Sequence, residues 1–412
     1  MFVLSMALKD GFTSRRIDIV FDTYRDTSIK NGERLARGED LGLELKGITA
    51  SQIVRQWRKF LSNIGNKPSL INFLVEEWKK PMYTDRLNGK VLFATCDDRC
   101  YQFTANGGEE VVALKATHEE ADTRLFLHAA HAAGEGYRSV VVNSDDTDVF
   151  VMSLAYDDKI EANLFVKCGT RSRVRILDVG KIARSLGSNI CQALIGLHAY
   201  TGCDTVSAFA GKGKLPALKL LRTNKDAYDA CVELGMDWDV SEQLMDKLEK
   251  FTCLIYGPKS GETHVNDLRY HLFCAKKGDI ESHQLPPCRD CLVKHAQRAA
   301  YQAAIWKRAL EADPSVPSPV GRGWHWESKN DRAHLAVDWM SGQPAPQAVL
   351  DLLACTCPTR CKLPKCVCIA SGLKCTDMCK LTTCDNQRGT SDNESSSEGE
   401  CDNDDDDYED DF

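Results

Sequence analysis

The chain has 412 residues, of which 43% are hydrophobic and 27% are charged, with a formal net charge of −8. This length excludes a small disulfide-stapled scaffold, because a chain of 412 residues can bury its own apolar core in one large domain or in two to three ordinary ones. The longest apolar stretches, 139–142 and 149–155, are much shorter than the roughly 20 residues of a membrane-spanning helix. The apolar start lacks a basic segment and a cleavage site, so we expect an intracellular, reducing compartment and no membrane partner.

The negative charge is concentrated in one C-terminal segment. Residues 391–412 hold twelve Asp or Glu and no Lys or Arg, so the rest of the chain has 52 basic and 48 acidic residues, a net charge of +4. Serine and acid without apolar anchors cannot offset the entropy of ordering, and we predict that the tail, 389–412, is disordered. It is either a solvating appendage, which is the simpler interpretation, or a segment that binds a basic protein partner.

The hydrophobic pattern predicts strands alternating with helices, and therefore an α/β fold with a mainly parallel sheet. Apolar positions at helical spacing alternate with short β-branched runs along most of the chain, and a capping box at 117–120 is predicted to open one of the helices. The predicted strands are 16–21, 90–95, 111–114 and 139–142, and the predicted helices are 29–37, 51–60, 70–79, 117–133, 190–200, 215–222 and 298–312.

Carboxylates gather where predicted strands end. Asp145, Asp146 and Asp148 directly follow the strand 139–142. In an extended segment, residues i and i+2 point the same way, so Asp146 and Asp148 are predicted to present two carboxylates on one side. Like charges held close together raise one another's pKa unless a cation compensates them, and hard ions such as Mg²⁺ or Mn²⁺ suit such ligands.

Further acids occupy similar junctions. Glu119, Glu120 and Asp122 stand at a predicted helix N-terminus, and Asp22 and Asp204 are single acids next to other elements. Each one taken alone is best explained as a helix cap or as a favourable charge at the helix dipole. Taken together, they predict a divalent-metal site beside the core.

The acids lie in four short motifs, which are FD at 21–22, EAD at 120–122, SDDTD at 144–148 and TGCDT at 201–205. In their order along the chain, these motifs resemble those of the flap endonucleases, a family of structure-specific 5′ nucleases with a PIN-like domain. The resemblance covers roughly 17–221. It implies a PIN-like parallel sheet with helices on both faces and two Mg²⁺ or Mn²⁺ ions at its head. Carried over, the ligand candidates are Asp22, Glu120, Asp122, Asp146, Asp148 and Asp204.

Two basic features extend this resemblance. The segment Gly211, Lys212, Gly213 and Lys214 is similar to the family's helix-turn-helix turn that grips the DNA backbone. Independently of any family, glycines let backbone N–H groups approach phosphate, and lysines add charge. Lys30 and Arg37, seven residues apart after Asp22, resemble the family's basic pair that reaches the scissile phosphate.

The implied activity is two-metal phosphodiester hydrolysis on DNA. The family begins with a strand that carries a further Asp, and only 21 residues precede Asp22, so the resemblance implies that this strand is missing and the PIN-like domain N-terminally incomplete. A catalytically inactive nuclease fold that serves as a DNA-binding or regulatory scaffold is the alternative. A nucleotide-binding enzyme is a third interpretation, which the absence of a Gly-rich phosphate loop after the first strand disfavours.

Eight of the 19 cysteines lie within 30 residues. Their regular spacing and density favour thiolate zinc ligands over disulfides, with some sulfurs bridging two ions because eight cysteines exceed one four-thiolate site. The predicted ligands are Cys355, Cys357, Cys361, Cys366, Cys368, Cys375, Cys379 and Cys384. By contrast, Cys288 and Cys291, with His283 and His295 nearby, are interpreted as incidental thiols.

The cysteine spacing, with Gly372 and Leu373 before Cys375, resembles one tesmin-type CXC repeat, a module that binds three zinc ions with nine cysteines and contacts DNA. Leu381 stands where the ninth cysteine is expected, so the resemblance implies two or three zinc ions here. Interleaved lysines are consistent with phosphate contact. They are Lys362, Lys365, Lys374 and Lys380.

The sequence therefore predicts a nuclear, DNA-acting protein in four parts. These are a flap-endonuclease-like domain at 1–255, a mainly helical extension at 256–345, a CXC zinc module at 350–388 and the acidic tail at 389–412. The combination of a nuclease domain with one CXC repeat also resembles multi-copy proteins of animal genomes, for which a mobile-element origin is one interpretation.

Overall fold

The structure is a computed structural model in which two compact units, Met1–Ser341 and Gly342–Phe412, are each described by themselves. The residues it describes are 2–25, 28–36, 44–45, 47–50, 52–169, 173–276, 284–329, 332–342, 355–370, 375, 379–381, 384 and 386. Six features named above lie outside these ranges: Arg37, His283, Gly372, Leu373, Lys374 and the acidic tail 389–412.

The first unit is mixed α/β, and its described strands form two small sheets and a hairpin. In the first sheet, β1 (Arg16–Ile19) pairs parallel with β2 (Val91–Cys96), and β3 (Arg99–Thr104) and β4 (Gly107–Glu110) follow antiparallel. In the second, β5 (Ser139–Asn143) pairs parallel with β6 (Asn163–Cys168), which pairs antiparallel with β7 (Arg175–Asp178). The hairpin is β8 (Trp324–Lys329) and β9 (Arg332–Val337). The α/β class is thus confirmed, but the described strands do not form one continuous parallel sheet.

Fourteen described helices accompany these strands in the first unit. They are α1 (Phe2–Asp10), α2 (Ile29–Ala36), α3 (Trp57–Ser62), α4 (Asn66–Trp78), α5 (Pro81–Thr84), α6 (Ala121–Gly134), α7 (Thr147–Tyr156), α8 (Val179–Leu186), α9 (Ser188–Thr201), α10 (Lys214–Leu221), α11 (Lys225–Glu233), α12 (Glu242–Tyr256), α13 (Val265–Ala275) and α14 (Arg289–Lys307). No helix within the described ranges combines the length and the apolar character that crossing a membrane requires.

Strand β2 is buried on both of its faces. Leu92 packs in the cluster that contains Leu4 of α1 and Leu74 of α4, whereas Phe93 points the other way, toward Leu127 of α6. Successive side chains of a strand alternate between its faces, so a nearly continuous apolar run is what a doubly covered strand needs. The first sheet is therefore covered by helices on both sides at β2.

Helix α9 is the centre of the main core, and α7, α11 and α14 pack around it. At Gly196, an added Cβ would lie 2.0 Å from the carbonyl oxygen of Cys231, so the backbones of α9 and α11 approach too closely for any side chain there. The packing of α14 against α9 places residues beyond 255 in the same compact unit as the acidic motifs.

Several predicted elements differ locally from the structure. The helix expected over 51–60 begins only at Trp57, because Ile53 is 81% exposed and finds no core to pack against. The strand expected at 111–114 is a 3₁₀ turn, Val112–Leu114. The expected capping box is wrong as well, since the Thr117 hydroxyl hydrogen-bonds the Asp313 carboxylate, and Glu120 at the N-cap makes no side-chain cap.

The second unit contains the cysteine module and one short helix, α15 (Val367–Ala370). Seven of its cysteines are buried together, and Ile369, Leu381 and Cys384 pack against them. With so few other apolar side chains among the described residues of this unit, the sulfur atoms themselves form its core.

Candidate metal centres

The Asp22 carboxylate, in the loop after β1, is hydrogen-bonded to the start of α6 and so brings two of the acidic motifs together. After β1, Asp22 accepts a hydrogen bond through Oδ1 from the backbone N–H of Ala121, at 2.9 Å, and so meets the first turn of α6. This turn carries Asp122, and Glu120 directly precedes it. The first N–H groups of a helix have no partner within the helix, so an external carboxylate stabilises them.

Four of the six predicted ligands interact electrostatically at this point. Burial raises the pKa of Asp122 to about 6, and the Lys30 ammonium opposes that shift. The remaining contributions come from three neighbouring carboxylates, those of Glu120, Asp146 and Asp22, each of which raises the pKa further. The fold therefore brings together acids from three distant parts of the chain.

Lys30, from α2, supplies the counter-charge of this acidic cluster. Its Nζ lies 3.4 Å from Asp122 Oδ2 and 4.0 Å from Asp22 Oδ1, and all three side chains are 21–24% exposed. Among the described residues, no set of three carboxylates has its ligand oxygens all within 4.8 Å of one another. The ammonium therefore lies where the carboxylates would otherwise repel one another.

Asp146 and Asp148 do not lie on an extended segment, and that prediction is wrong. Helix α7 begins between them, and Asp146 is its N-cap, accepting a hydrogen bond through Oδ1 from the Asp148 N–H at 2.9 Å. Aspartate is a favourable N-cap residue, because its carboxylate accepts from a helix N–H that would otherwise lack a partner. Asp146 therefore favours the start of a helix here. The two side chains consequently face different neighbours.

Asp148 faces a buried histidine that the sequence analysis did not single out. Its Oδ1 lies 2.6 Å from Nε2 of His198, on α9, and His198 Nδ1 lies 2.6 Å from Nζ of Lys214. The His198 ring also packs against Trp306, whose Nε1 donates to Glu120 Oε2 at 3.3 Å. The only signal that points to His198 is a histidine within the largely apolar helix predicted at 190–200.

The remaining predicted residues lie in the segment that joins α9 to α10 and at the start of α10. Asp204 and Gly211 are exposed, and Gly211 has a left-handed φ of 67°. The Lys212 ammonium lies 4.7 Å from the centre of the Tyr256 ring. Burial lowers the pKa of Lys214, whose Nζ lies 2.5 Å from the carbonyl oxygen of Gly202, so its ammonium points into the protein.

Asp18, on β1 and four residues before Asp22, is part of a different hydrogen-bond network. Arg16 donates to both of its carboxylate oxygens, at 2.8 and 2.9 Å, and His128 Nδ1 lies 2.8 Å from Asp18 Oδ1. Burial alone would raise the pKa of Asp18, but the hydrogen bonds with His128 and Arg16 outweigh it and lower that pKa. This carboxylate therefore stabilises the β1–α6 contact.

The cysteine module contains three groups of sulfurs with metal-ligand spacing. Within each group, all ligand atoms lie within 4.8 Å of one another, and three cysteines belong to two groups each. The groups are Cys355, Cys357, Cys361 and Cys366; Cys355, Cys368, Cys375 and Cys379; and Cys361, Cys375 and Cys384. Clustered thiolates are typical zinc ligands, and these groups, which share three cysteines, could hold zinc ions.

The protonation of these thiols depends on their neighbours. The backbone N–H of Ile369 lowers the pKa of Cys366 to about 7, whereas desolvation and adjacent thiols raise the pKa of Cys361 far above its ordinary range. Without a cation, a second thiolate beside the first is unfavourable. Zinc would supply that charge and displace the thiol protons, so these buried clusters could hold zinc ions.

Cys288 and Cys291 do not form a metal group with the described residues around them. His295 faces the core instead, where its Nε2 lies 2.8 Å from the carbonyl oxygen of Tyr200. Because His283 lies outside the described residues, the interpretation of Cys288 and Cys291 as incidental thiols stays a prediction.

No protein family model, no curated protein and no solved structure significantly matches this chain.

Proposed function

We propose that the first unit is a divalent-metal-dependent nuclease that hydrolyses phosphodiester bonds in DNA, and that the cysteine module is a zinc-bound DNA tether. The observation that carries the nuclease proposal is the convergence of Asp22, Glu120, Asp122 and Asp146 from three distant parts of the chain: burial raises the pKa of Asp122, and the other three carboxylates raise it further. The order of these acids resembles that of the flap endonucleases, and a nuclear location and a PIN-like arrangement belong to the same proposal.

The donor set fits Mg²⁺ or Mn²⁺, since these ions prefer carboxylate oxygens and a pair of them would compensate the repulsion around Asp122. When bound, such ions supply a hydroxide near neutral pH and stabilise the leaving oxygen. The chain's own contribution is to hold the carboxylates in place, with Asp22 tied to α6 and Asp146 to the start of α7. Lys30, released from Asp122, would contact the phosphate.

The phosphate contacts are proposed at two places, one in each unit. In the first, the turn 211–213 is proposed to contact phosphate through the Lys212 ammonium and the glycine N–H groups, since the Lys212 N–H already donates to the Phe209 carbonyl oxygen at 3.0 Å. In the second, Lys362, Lys365 and Lys380 are exposed, and each is adjacent in sequence to a buried cysteine. Contacts to phosphate carry no sequence information, so the proposal is for binding that depends on DNA structure and salt rather than on base sequence.

The second candidate function is a DNA-binding or regulatory scaffold without catalysis. The observation that favours it is the Lys30 ammonium, which lies 3.4 Å from Asp122 and already compensates the acids without a metal ion. A scaffold of this kind would bind DNA through the same turn and module and would leave the strand intact.

The experiment is cleavage of branched, single-stranded and duplex DNA by the full chain in Mg²⁺ or Mn²⁺. Asp122→Asn and the double variant Asp146→Asn/Asp148→Asn are expected to abolish cleavage. Asp158→Asn is the matched control, because Asp158 is exposed beyond the other end of α7. Cleavage that survives in both site variants contradicts the proposed site, and DNA binding without any cleavage by the parent protein supports the scaffold.

A further inference from the structure

A hydrogen-bonded chain of three side chains, those of Lys214, His198 and Asp148, ends at one of the proposed ligands. Asp148 Oδ1 and His198 Nε2 are 2.6 Å apart, and His198 Nδ1 and Lys214 Nζ are 2.6 Å apart. His198 is 5% exposed, and the side chain of Asp148 is 16% exposed. The middle member, His198, is therefore shielded from solvent, whereas Asp148 and Lys214 at the two ends are partly exposed.

The hydrogen-bond chemistry of Lys214 determines which nitrogen of His198 carries the proton. Three polar atoms surround Lys214 Nζ: His198 Nδ1 at 2.6 Å, the His198 carbonyl oxygen at 3.4 Å and the Gly202 carbonyl oxygen at 2.5 Å. The ammonium form of lysine has three hydrogens and no lone pair, so it donates to all three and makes Nδ1 an acceptor. With Nδ1 an acceptor, the proton of the neutral ring lies on Nε2 and is donated to Asp148.

The fold holds this chain in place on two sides. Gly202 ends α9 with a φ of 113°, and an added Cβ there would lie 2.6 Å from the Ala208 Cα, so the tight turn that leads back to Lys214 requires glycine. On the other side, the ring of Trp306 packs against His198, with centroids 5.6 Å apart, and donates to Glu120. The His198–Trp306 pair thus contacts two of the proposed metal ligands at once.

We infer that Lys214 and His198 are positioning residues for Asp148, and that Lys214 acts inside the protein rather than on DNA phosphate. The inference rests on the proposed function for the role of Asp148 as a metal ligand, but the proton arrangement itself does not. A carboxylate whose second oxygen stays available, while the first accepts from a fixed imidazole, is held in a single orientation toward a cation. Groups of this kind that orient metal ligands typically change metal affinity by 10- to 100-fold when they are lost.

The first experiment reads the proton on His198 in the full chain by nitrogen NMR of histidine-labelled protein, with His198→Gln to assign the signal. The expected spectrum is that of a neutral ring with hydrogen on Nε2. In Lys214→Met the ammonium no longer opposes hydrogen on Nδ1, so a mixture of the two forms is expected, whereas Lys212→Met leaves the signal unchanged. Hydrogen on Nδ1 in the parent, or an identical signal in Lys214→Met, overturns the inference.

The second experiment measures Mn²⁺ affinity and DNA affinity of the same folded proteins. Lys214→Met and His198→Gln are expected to weaken Mn²⁺ binding roughly tenfold and to leave DNA binding in the absence of divalent metal nearly unchanged. Lys212→Met is expected to show the opposite pattern. Circular dichroism at the assay temperature confirms that each variant is folded.

The two experiments separate failure of the inference from failure of the proposed function. If Asp148→Asn does not weaken Mn²⁺ binding, Asp148 is not a ligand and the proposed metal site fails, while the NMR result still decides the proton arrangement. If Asp148→Asn weakens Mn²⁺ binding but Lys214→Met and His198→Gln do not, the positioning role is overturned. Weaker metal-free DNA binding by Lys214→Met, equal to that of Lys212→Met, also overturns it.

Discussion

The carboxylate of Asp22 accepts a hydrogen bond from the backbone N–H of Ala121, at 2.9 Å, across 99 residues of sequence. This bond ties the loop after β1 to the first turn of α6 and brings Asp22 to Glu120 and Asp122. One side chain thus serves both as an external helix cap and as a proposed metal ligand.

The two roles of Asp22 can be separated by substitution. Asp22→Ala is expected to lower the free energy of unfolding by about 1 kcal/mol, because a helix N–H loses its acceptor. Asp22→Asn keeps an acceptor oxygen and is expected to retain most of that stability, yet to weaken Mn²⁺ binding. Urea unfolding and Mn²⁺ titration measure the two effects. Equal losses of stability in both variants would show that the hydrogen bond to Ala121 is not what Asp22 contributes.

The raised pKa of Asp122 predicts how stability depends on pH. The unfolded chain releases this proton near 3.8 and the folded chain near 6, so the folded state loses stability as pH rises between these values. Asp122→Asn is therefore expected to stabilise the metal-free protein at pH 7.5, by roughly 2 kcal/mol, and to have little effect at pH 3.5. Thermal unfolding at the two pH values measures this. Added Mg²⁺ is expected to stabilise the parent protein more than the variant.

Asp18 is expected to show the opposite pH dependence. Its folded-state pKa is lowered, so its contribution is present above the ordinary value of 3.8 and is lost as pH falls below it. Asp18→Asn is expected to destabilise the protein by roughly 3 kcal/mol at pH 7, since Arg16 and His128 lose a charged partner. The deficit should shrink in acid.

The control for Asp18 is an ion pair at the surface. Asp10 lies 3.2 Å from the Lys167 ammonium, with about half of its side chain exposed. Asp10→Asn is expected to cost under about 1 kcal/mol at any pH. A similar cost for both substitutions would contradict the proposed role of the Arg16–Asp18–His128 network.

Sharing of cysteines predicts unequal effects within the zinc module. Cys355 belongs to two of the sulfur groups and Cys357 to one. Cys355→Ser is therefore expected to lower the zinc content per chain more than Cys357→Ser does. Cys274→Ser, which removes an exposed cysteine outside the module, serves as the control. Zinc is measured by elemental analysis of metal-replete protein, and a content near zero in the parent rules out the module as a zinc site.

Leu381 provides a test in the opposite direction. It packs against the buried sulfurs, and the CXC resemblance implies a cysteine at this position. Leu381→Cys is expected to add a thiolate to the group of Cys361, Cys375 and Cys384, and to slow the release of zinc to a competing chelator. Leu381→Ser controls for the lost leucine, and unchanged release in Leu381→Cys would contradict this placement.

Local sequence patterns predicted the α/β class and the cysteine cluster, because both depend on short-range order. Alternation over β1 and helical spacing over α4 and α9 are properties of a few consecutive residues, and eight cysteines in 30 residues can hardly avoid one another. The same reasoning failed at 111–114 and at Asp146, where a tight turn and a cap decide the local backbone. It also missed His198, because a histidine in a largely apolar helix does not reveal that it contacts Asp148, 50 residues away in sequence.

The sequence by itself determined which residue types are available: an acid-rich set at element junctions, one dense group of thiols, and a charge imbalance confined to the tail. Only the tertiary structure decided which acids meet, because Asp22, Glu120 and Asp146 become neighbours through helix capping and through packing of α6 against α7. It also decided that Lys30 lies among the carboxylates while Lys214 points inward to His198. Charge and hydrogen bonding act over a few ångströms of space, whatever the separation along the chain, and so the roles of these lysines follow from the fold.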